Sequence, residues 1–288
     1  MSQKLAAILY HLINFFDKIF NLIFKRNFKY HLYNYFRKNS FTKKKIGSSN
    51  YIFFTPSQLS KWRVDTFFSK EPETLAWIDS FKNFDNKTIF WDIGANIGLY
   101  SIYAASKHDF LKKIVAFEPS TANLNLLSTN ISINNLSDKI YIFNQPLSKS
   151  HENFMFLQES FVEEGGSMNA YGVNYDHAGN EFKSKMSYQL MGNSINHILR
   201  KNILEFPNYI KIDVDGIEHL ILSGADEFLN DPKIKEIQVE INEDFTTQKE
   251  IIAKLMEKSN FKLKHKTNAL SFASNKFANT FNYLYIKT

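Results

Sequence analysis

Acidic residues stand beside glycine at points where apolar runs end. The segment TIFWDIGANIGLYS, residues 88–101, places Asp92 two positions before Gly94, with Asn96 and Gly98 following. An apolar strand that runs through an acid into a glycine turn and then a helix carries backbone close to a ligand. Glycine permits the turn, and the helix N-terminus supplies free amides and a positive dipole end. The dinucleotide fingerprint G-x-G-x-x-G needs a second glycine at position 96. Asn96 occupies it, the spacing is G-x-x-x-G, and the approach of a pyrophosphate is crowded.

Three further acids or groups of acids follow the same rule. Glu118, in IVAFEP, ends the next apolar run 24 residues after Gly94. At that position a carboxylate can accept from both ribose hydroxyls of a nucleoside. The stretch YIKIDVDGIE, residues 209–218, crowds Asp213, Asp215 and Glu218 around Lys211. Such acids repel one another unless a cation, an amine or hydrogen bonds compensate. Glu240, in VEIN, closes another apolar run and faces the same end of a parallel sheet, where ligands bind. The ordinary reading of each is a helix cap or a loop charge. Their joint placement argues for a ligand instead. A carboxylate, a small loop and a helix start suit the zwitterionic tail of S-adenosylmethionine, and a sulfonium or ammonium would offset the acids at 213–218.

The elements that position these residues alternate. Apolar runs at 88–93, 113–117, 140–143, 209–214 and 234–241 are separated by helical stretches at 99–106, 120–133, 217–222 and 246–258. This predicts parallel strands with crossover helices, an α/β doubly wound sheet. Two more strands, at 261–265 and 281–286, lack a long helix between them and predict an antiparallel pair at the sheet edge. A short helix is expected at 73–84, after Pro72, and residues 46–70 read as irregular. The stretch 151–205 breaks the alternation and is too long for a plain connection. It reads as a substrate-side insertion or as a surface β excursion. The domains expected are an extension at 1–45, a lead-in at 46–85 and a catalytic domain at 86–288.

Charge is concentrated at the start of the chain. Of 288 residues, 35 are Lys or Arg and 29 Asp or Glu, for a formal net charge of +6. Residues 1–45 hold 10 Lys or Arg and one acid, Asp17, so the remainder is mildly acidic. The basic character is therefore local, and no nucleic-acid partner is expected. Cysteine is absent, which excludes disulfides, cysteine nucleophiles and thiolate metal sites. Residues 5–24 are apolar and long enough to span a bilayer, but His11, Asn14, Lys18, Asn21 and Lys25 form a polar stripe at helical spacing. A helix lying in the membrane interface, followed by a basic run that favours anionic lipid at roughly 1 kcal/mol per residue, fits better than a span. A helix packed on the protein's own body is the other reading. No small-x-small site follows to mark a cleaved signal peptide.

The segments WDIGANIGLYS, AFEPS, YIKIDVDGIEHLILSGA and IQVEIN, in this order and with the upstream element EPET at 71–74, resemble the FkbM family of methyltransferases. The resemblance runs over roughly residues 71–245. It implies a class I methyltransferase (Rossmann-like) fold, a seven-stranded sheet with one reversed strand. It also implies S-adenosylmethionine as cofactor and O-methylation, often of a sugar hydroxyl in a glycan, glycolipid or secondary metabolite. Asp92, Gly94, Asn96 and Gly98 would then hold the methionine part and Glu118 the ribose. Asp213 would stand where cofactor meets substrate, and Asp215, Glu218 and Glu240 would handle the substrate or its proton. The family commonly has D-V-E-G where this chain has Asp213-Val214-Asp215-Gly216, one methylene shorter at 215. It often has a small Ala-Leu pair where this chain has Asn144-Gln145-Pro146-Leu147-Ser148.

A saccharide or glycolipid acceptor at the cytoplasmic face of the membrane is the expectation. A divalent metal could sit among the carboxylates at 213, 215, 218 and 240, but nothing matches a dedicated spacing and none is assigned. His177, His197 and His219 are alternative bases, each more simply read as structural, with His219 the closest to the acidic run. Two other functions fit the same elements less well. A nicotinamide-dependent sugar oxidoreductase lacks its second glycine and a Tyr-x-x-x-Lys pair. A non-catalytic membrane-associated binding protein on the same fold would not need the intact acidic motifs.

Overall fold

The structure is a computed structural model that describes residues 2–268 and 278–288. The chain divides into two compact units, Met1–Phe41 and Thr42–Thr288.

In the first unit, α1 (Ser2–Phe24) and α2 (Lys29–Lys38) form a hairpin. Asp17 is the one buried residue of α1. Its Oδ1 accepts from the backbone N–H of Phe28 (2.7 Å) and of Lys29 (3.0 Å), capping the start of α2. Asn14 accepts from Lys29 Nζ at 3.1 Å.

The second unit begins with a two-stranded hairpin, β1 (Phe41–Ile46) and β2 (Ser49–Phe54), followed by α3 (Gln58–Lys70) and α4 (Pro72–Asp79). The irregular reading of 46–70 is thus corrected. Helix α3 starts in a reciprocal capping box between Ser57 and Ser60 and buries Ser60, Val64 and Phe67. One of those three inward positions is a serine, while Trp62 and Phe68 point outward. Apolar periodicity is blurred in consequence.

The sheet elements follow as β3 (Thr88–Ile93), α5 (Leu99–Lys107), β4 (Leu111–Phe117), α6 (Thr121–Ile133) and β5 (Ile140–Phe143). Then come β6 (Phe154–Glu159), β7 (Asn169–Tyr171), β8 (Met186–Met191), α7 (Ile195–Arg200), β9 (Tyr209–Ile212) and α8 (Glu218–Ser223). The chain closes with β10 (Glu236–Asn242), α9 (Thr246–Lys258), β11 (Phe261–Thr267) and β12 (Thr280–Lys287). Seven strands make one sheet in the order β11-β12-β10-β9-β3-β4-β5. Neighbours are parallel except β12, which runs antiparallel to both β10 and β11. The reversed strand lies one place in from the edge, slotted between β10 and β11.

Strands β3 and β9 are buried at every position, as their unbroken apolar runs require when helices cover both faces. Trp91 packs into the cluster on one face with Val115, Ile210 and Val239, and Phe90 into the other with Ile114 and Leu284. Complete burial of each such side chain contributes about 1.5–3 kcal/mol. The chain goes outward from β3 to β4 and β5, then returns to place β9 on the other side of β3. This reversal opens a crevice beyond the carboxyl ends of β3 and β9. The 151–205 stretch folds largely as an antiparallel sheet of order β7-β6-β8, with α7 after it.

Candidate active site

Segments from several parts of the second unit meet in the crevice. The turn after β3 is left-handed at three positions: Gly94 (φ +87°), Asn96 (φ 51°) and Gly98 (φ +87°). At Gly94 the need for glycine is absolute. A Cβ there would stand 1.8 Å from the backbone oxygen of Asp213. Beside the turn lies a cavity of about 1160 Å³ including its open mouth. Phe117, Pro146, Leu147, Leu157, Ile217 and Ile221 form apolar walls.

Glu118 lies on the wall at the end of β4 and is almost fully buried. Its Oε2 accepts from Asn96 N (2.8 Å) and its Oε1 from Ser120 N (2.9 Å), so the acid fixes the glycine turn as well as facing the cavity. Burial raises its carboxyl to about 7, against those hydrogen bonds.

The floor is a charge network. Lys211, in β9, is buried and donates to Asp213 at 2.7 Å. It is also the register partner of Asp92 in β3. Burial would raise the Asp213 carboxyl, but Lys211 and Lys70 hold it down at about 2. The same burial works against the Lys211 ammonium, and Asp213, Asp92 and Glu71 reverse it and raise its proton affinity. Lys70 pairs with Glu71 at 2.6 Å, and Tyr100 donates to Glu71 at 2.8 Å. Glu240 completes the floor. One carboxylate oxygen each from Glu71, Asp213 and Glu240 lie within 4.8 Å of one another. Two lysines are paired with the first two acids. The third, half-buried beside two negative charges, has its carboxyl pushed well above the usual range by desolvation and by those charges. Lys70 and Lys211 thus bring the positive charge a cation would otherwise supply, and no metal is assigned to these oxygens.

The insertion closes the site. Gly166 O accepts from Asn96 Nδ2 (2.7 Å) and Asn123 Nδ2 (3.0 Å). Asp215, at φ +67°, accepts from Met168 N at 2.6 Å and Asn169 N at 3.3 Å. Ser57 Oγ donates to Glu164 O at 2.7 Å, and Arg63 Nε donates to Gly165 O. Gly166, Ser167, Met168, Asn169 and Tyr171 consequently line the cavity. Asp215 is committed to insertion backbone as well as facing the cavity.

Among the expected site residues, Gly94, Asn96, Glu118, Asp213, Asp215 and Glu240 lie on the cavity wall. Gly98 caps α5 behind it. Asp92 is not on the wall. It is fully buried, accepts from Ser101 Oγ at 2.6 Å and leaves Oδ1 without a partner. Its place is to balance Lys211 from beneath. Glu218 is corrected outright. It turns inward, accepts from Val214 N and Gly216 N, and is held by Gln248 Nε2 at 2.5 Å. Its function is to staple the 213–218 loop. Among the described residues no histidine lines the cavity. His219 meets Tyr175, and burial lowers its proton affinity.

Trp62, Arg63 and Lys70, which α3 brings to the cavity, escaped the sequence reading. The signal was faint. Lys70 adjoins the Glu71-Pro72 element, but Trp62 and Arg63 fall in a stretch without clear periodicity.

The residues fit S-adenosylmethionine. The buried Oδ1 of Asn96 has no partner and can accept from a ligand. Glu118 offers acceptors for ribose hydroxyls, and the apolar walls suit a purine. Asp213 and Arg63 offer one charge of each sign to an amino-acid tail.

A Rossmann-like sheet with one reversed strand and a site at its switch point defines the class I methyltransferase fold. A Streptococcus mutans protein assigned as an S-adenosylmethionine-dependent methyltransferase superposes with a TM-score of 0.50 at 10% identity, over 86% of this chain and 55% of that one. TrmK of M. capricolum, solved with S-adenosylhomocysteine, gives a TM-score of 0.43 at 13% identity, over 74% and 67%. In sequence, residues 92–263 match the family described as Methyltransferase FkbM domain. The chain belongs to that family. It is also similar to methyltransferase sdnD of Sordaria araneosa, 26% identical over 164 residues, which is 50% of this chain and 63% of that protein's length.

Proposed function

We propose that this chain is an S-adenosylmethionine-dependent O-methyltransferase acting on a hydroxyl of a saccharide. The observation that carries the oxygen acceptor is Glu240. It stands on the cavity floor, and burial together with Asp213 and Glu71 raises its proton affinity. An alcohol is a weak nucleophile and needs a base whose proton affinity approaches its working pH. Glu240 takes the hydroxyl proton as the oxygen attacks. S-adenosylmethionine supplies an electrophilic methyl on a sulfonium, with S-adenosylhomocysteine as leaving group.

The chain's other residues position. Asn96, Glu118 and Asp213 hold the cofactor, the insertion excludes water, and alignment of the reacting atoms provides much of the rate. A sugar is favoured by the lining. Gln145, Ser167 and Asn169 offer amide and hydroxyl partners, and Trp62, 42% exposed, offers a ring face at the mouth.

The test is transfer of isotopically labelled methyl to a panel of oligosaccharides and glycolipids, with the product's carbon shift read by NMR. A methyl ether supports the reading. Methylation at nitrogen or carbon, or on no saccharide, contradicts it.

A further inference from the structure

The helical hairpin of residues 2–38 exposes an apolar surface that its own unit does not cover. Leu5, Leu9, Leu12, Phe16, Ile19 and Ile23 are between 40 and 66% exposed. Tyr30, Tyr33 and Phe36 are exposed on α2. Seven basic residues accompany them (Lys4, Lys18, Lys25, Arg26, Lys29, Arg37 and Lys38) against one acid. That acid is Asp17, and its carboxylate is already engaged by the first amides of α2. The hairpin therefore presents apolar side chains, interfacial aromatics and positive charge with no exposed acid to oppose an anionic surface.

We propose that residues 2–38 bind the surface of a lipid bilayer bearing anionic headgroups, with α1 lying in the interface. Apolar side chains would enter the acyl boundary while Lys and Arg reach the headgroups. A flat orientation follows from the hairpin. A span would carry Lys18, Asn14, Asn21 and the capped start of α2 into hydrocarbon, where each is costly. The proposal is independent of the chemistry in the cavity.

Flotation of the full chain with vesicles tests it, using phosphatidylcholine alone and phosphatidylcholine mixed with phosphatidylglycerol. Binding to the mixed vesicles is expected, weakened by salt and released by alkaline carbonate. The pair Leu12→Glu/Phe16→Glu and the pair Lys25→Glu/Arg26→Glu should each weaken it at least about tenfold. Both pairs change exposed side chains, and unchanged circular dichroism confirms that the fold survives. No binding, equal binding to both vesicle types, wild-type binding by either pair, or resistance to carbonate would overturn the proposal.

Discussion

Gly94 and Asp213 touch through their backbones: a side-chain carbon on the first would lie 1.8 Å from the carbonyl oxygen of the second. Two loops from different strands are thereby locked at the closest approach that glycine allows. Gly94→Ala must move one loop and also pay for a left-handed φ of +87°. A loss of at least about 3 kcal/mol of stability is expected, through strain and lost packing. Denaturant unfolding measures it, and cofactor binding should disappear in whatever fraction remains folded.

Lys211 holds Asp213 and balances Asp92. Removing it with Lys211→Met takes from the buried Asp92 and the partly buried Asp213 the cation they share, and should cost about 3–5 kcal/mol. The double variant Lys211→Met/Asp213→Asn should recover part of that loss. Acid unfolding carries the same signature. The Asp213 carboxyl sits at about 2 in the folded chain against an ordinary 3.8. Its contribution is complete above pH 3.8 and is lost as pH falls toward 2. A urea series over that window should show Asp213→Asn with a flatter acid limb than wild type.

Glu118 has the opposite sign. Its carboxyl is raised from 4.5 to about 7, so the folded protein without ligand keeps a proton that the unfolded chain has released. Stability should fall as pH rises from about 4.5 to about 7. Ribose hydroxyls donate best to the ionised form. Affinity for S-adenosylhomocysteine should therefore rise about tenfold between pH 6 and pH 8. Glu118→Gln should bind weakly at both pH values with the pH dependence removed, and isothermal titration at the two pH values reads the difference.

Asp215 ties the insertion to the site through Met168 and Asn169. Asp215→Ala should loosen residues 163–169, raising hydrogen exchange and proteolysis there. Acceptor KM should rise more than cofactor Kd, because the cofactor's partners lie just beyond the carboxyl ends of β3, β4 and β9 and the insertion covers only one side.

The sheet was legible in the sequence because its strands are unbroken apolar runs between helices. The runs at 88–93 and 140–143 coincide with β3 and β5. The cavity acids Glu118, Asp213 and Glu240 were legible because each ends such a run. Burial direction was not. Glu218 and Asp215 share a loop and a charge, yet one turns in to staple backbone and the other faces the cavity. A three-residue difference on a tight turn decides this, and residue type does not record it. Lys70 and Arg63 were hidden for another reason. They act across the fold from a helix whose buried face includes a serine.

The most direct test of the central claim is titration of S-adenosylmethionine into wild type and Glu118→Ala, with folding checked by circular dichroism. Micromolar binding at one site by wild type, weakened at least about tenfold in the variant, is the predicted result. Folded wild type that does not bind, or a variant that binds as wild type does, would contradict it.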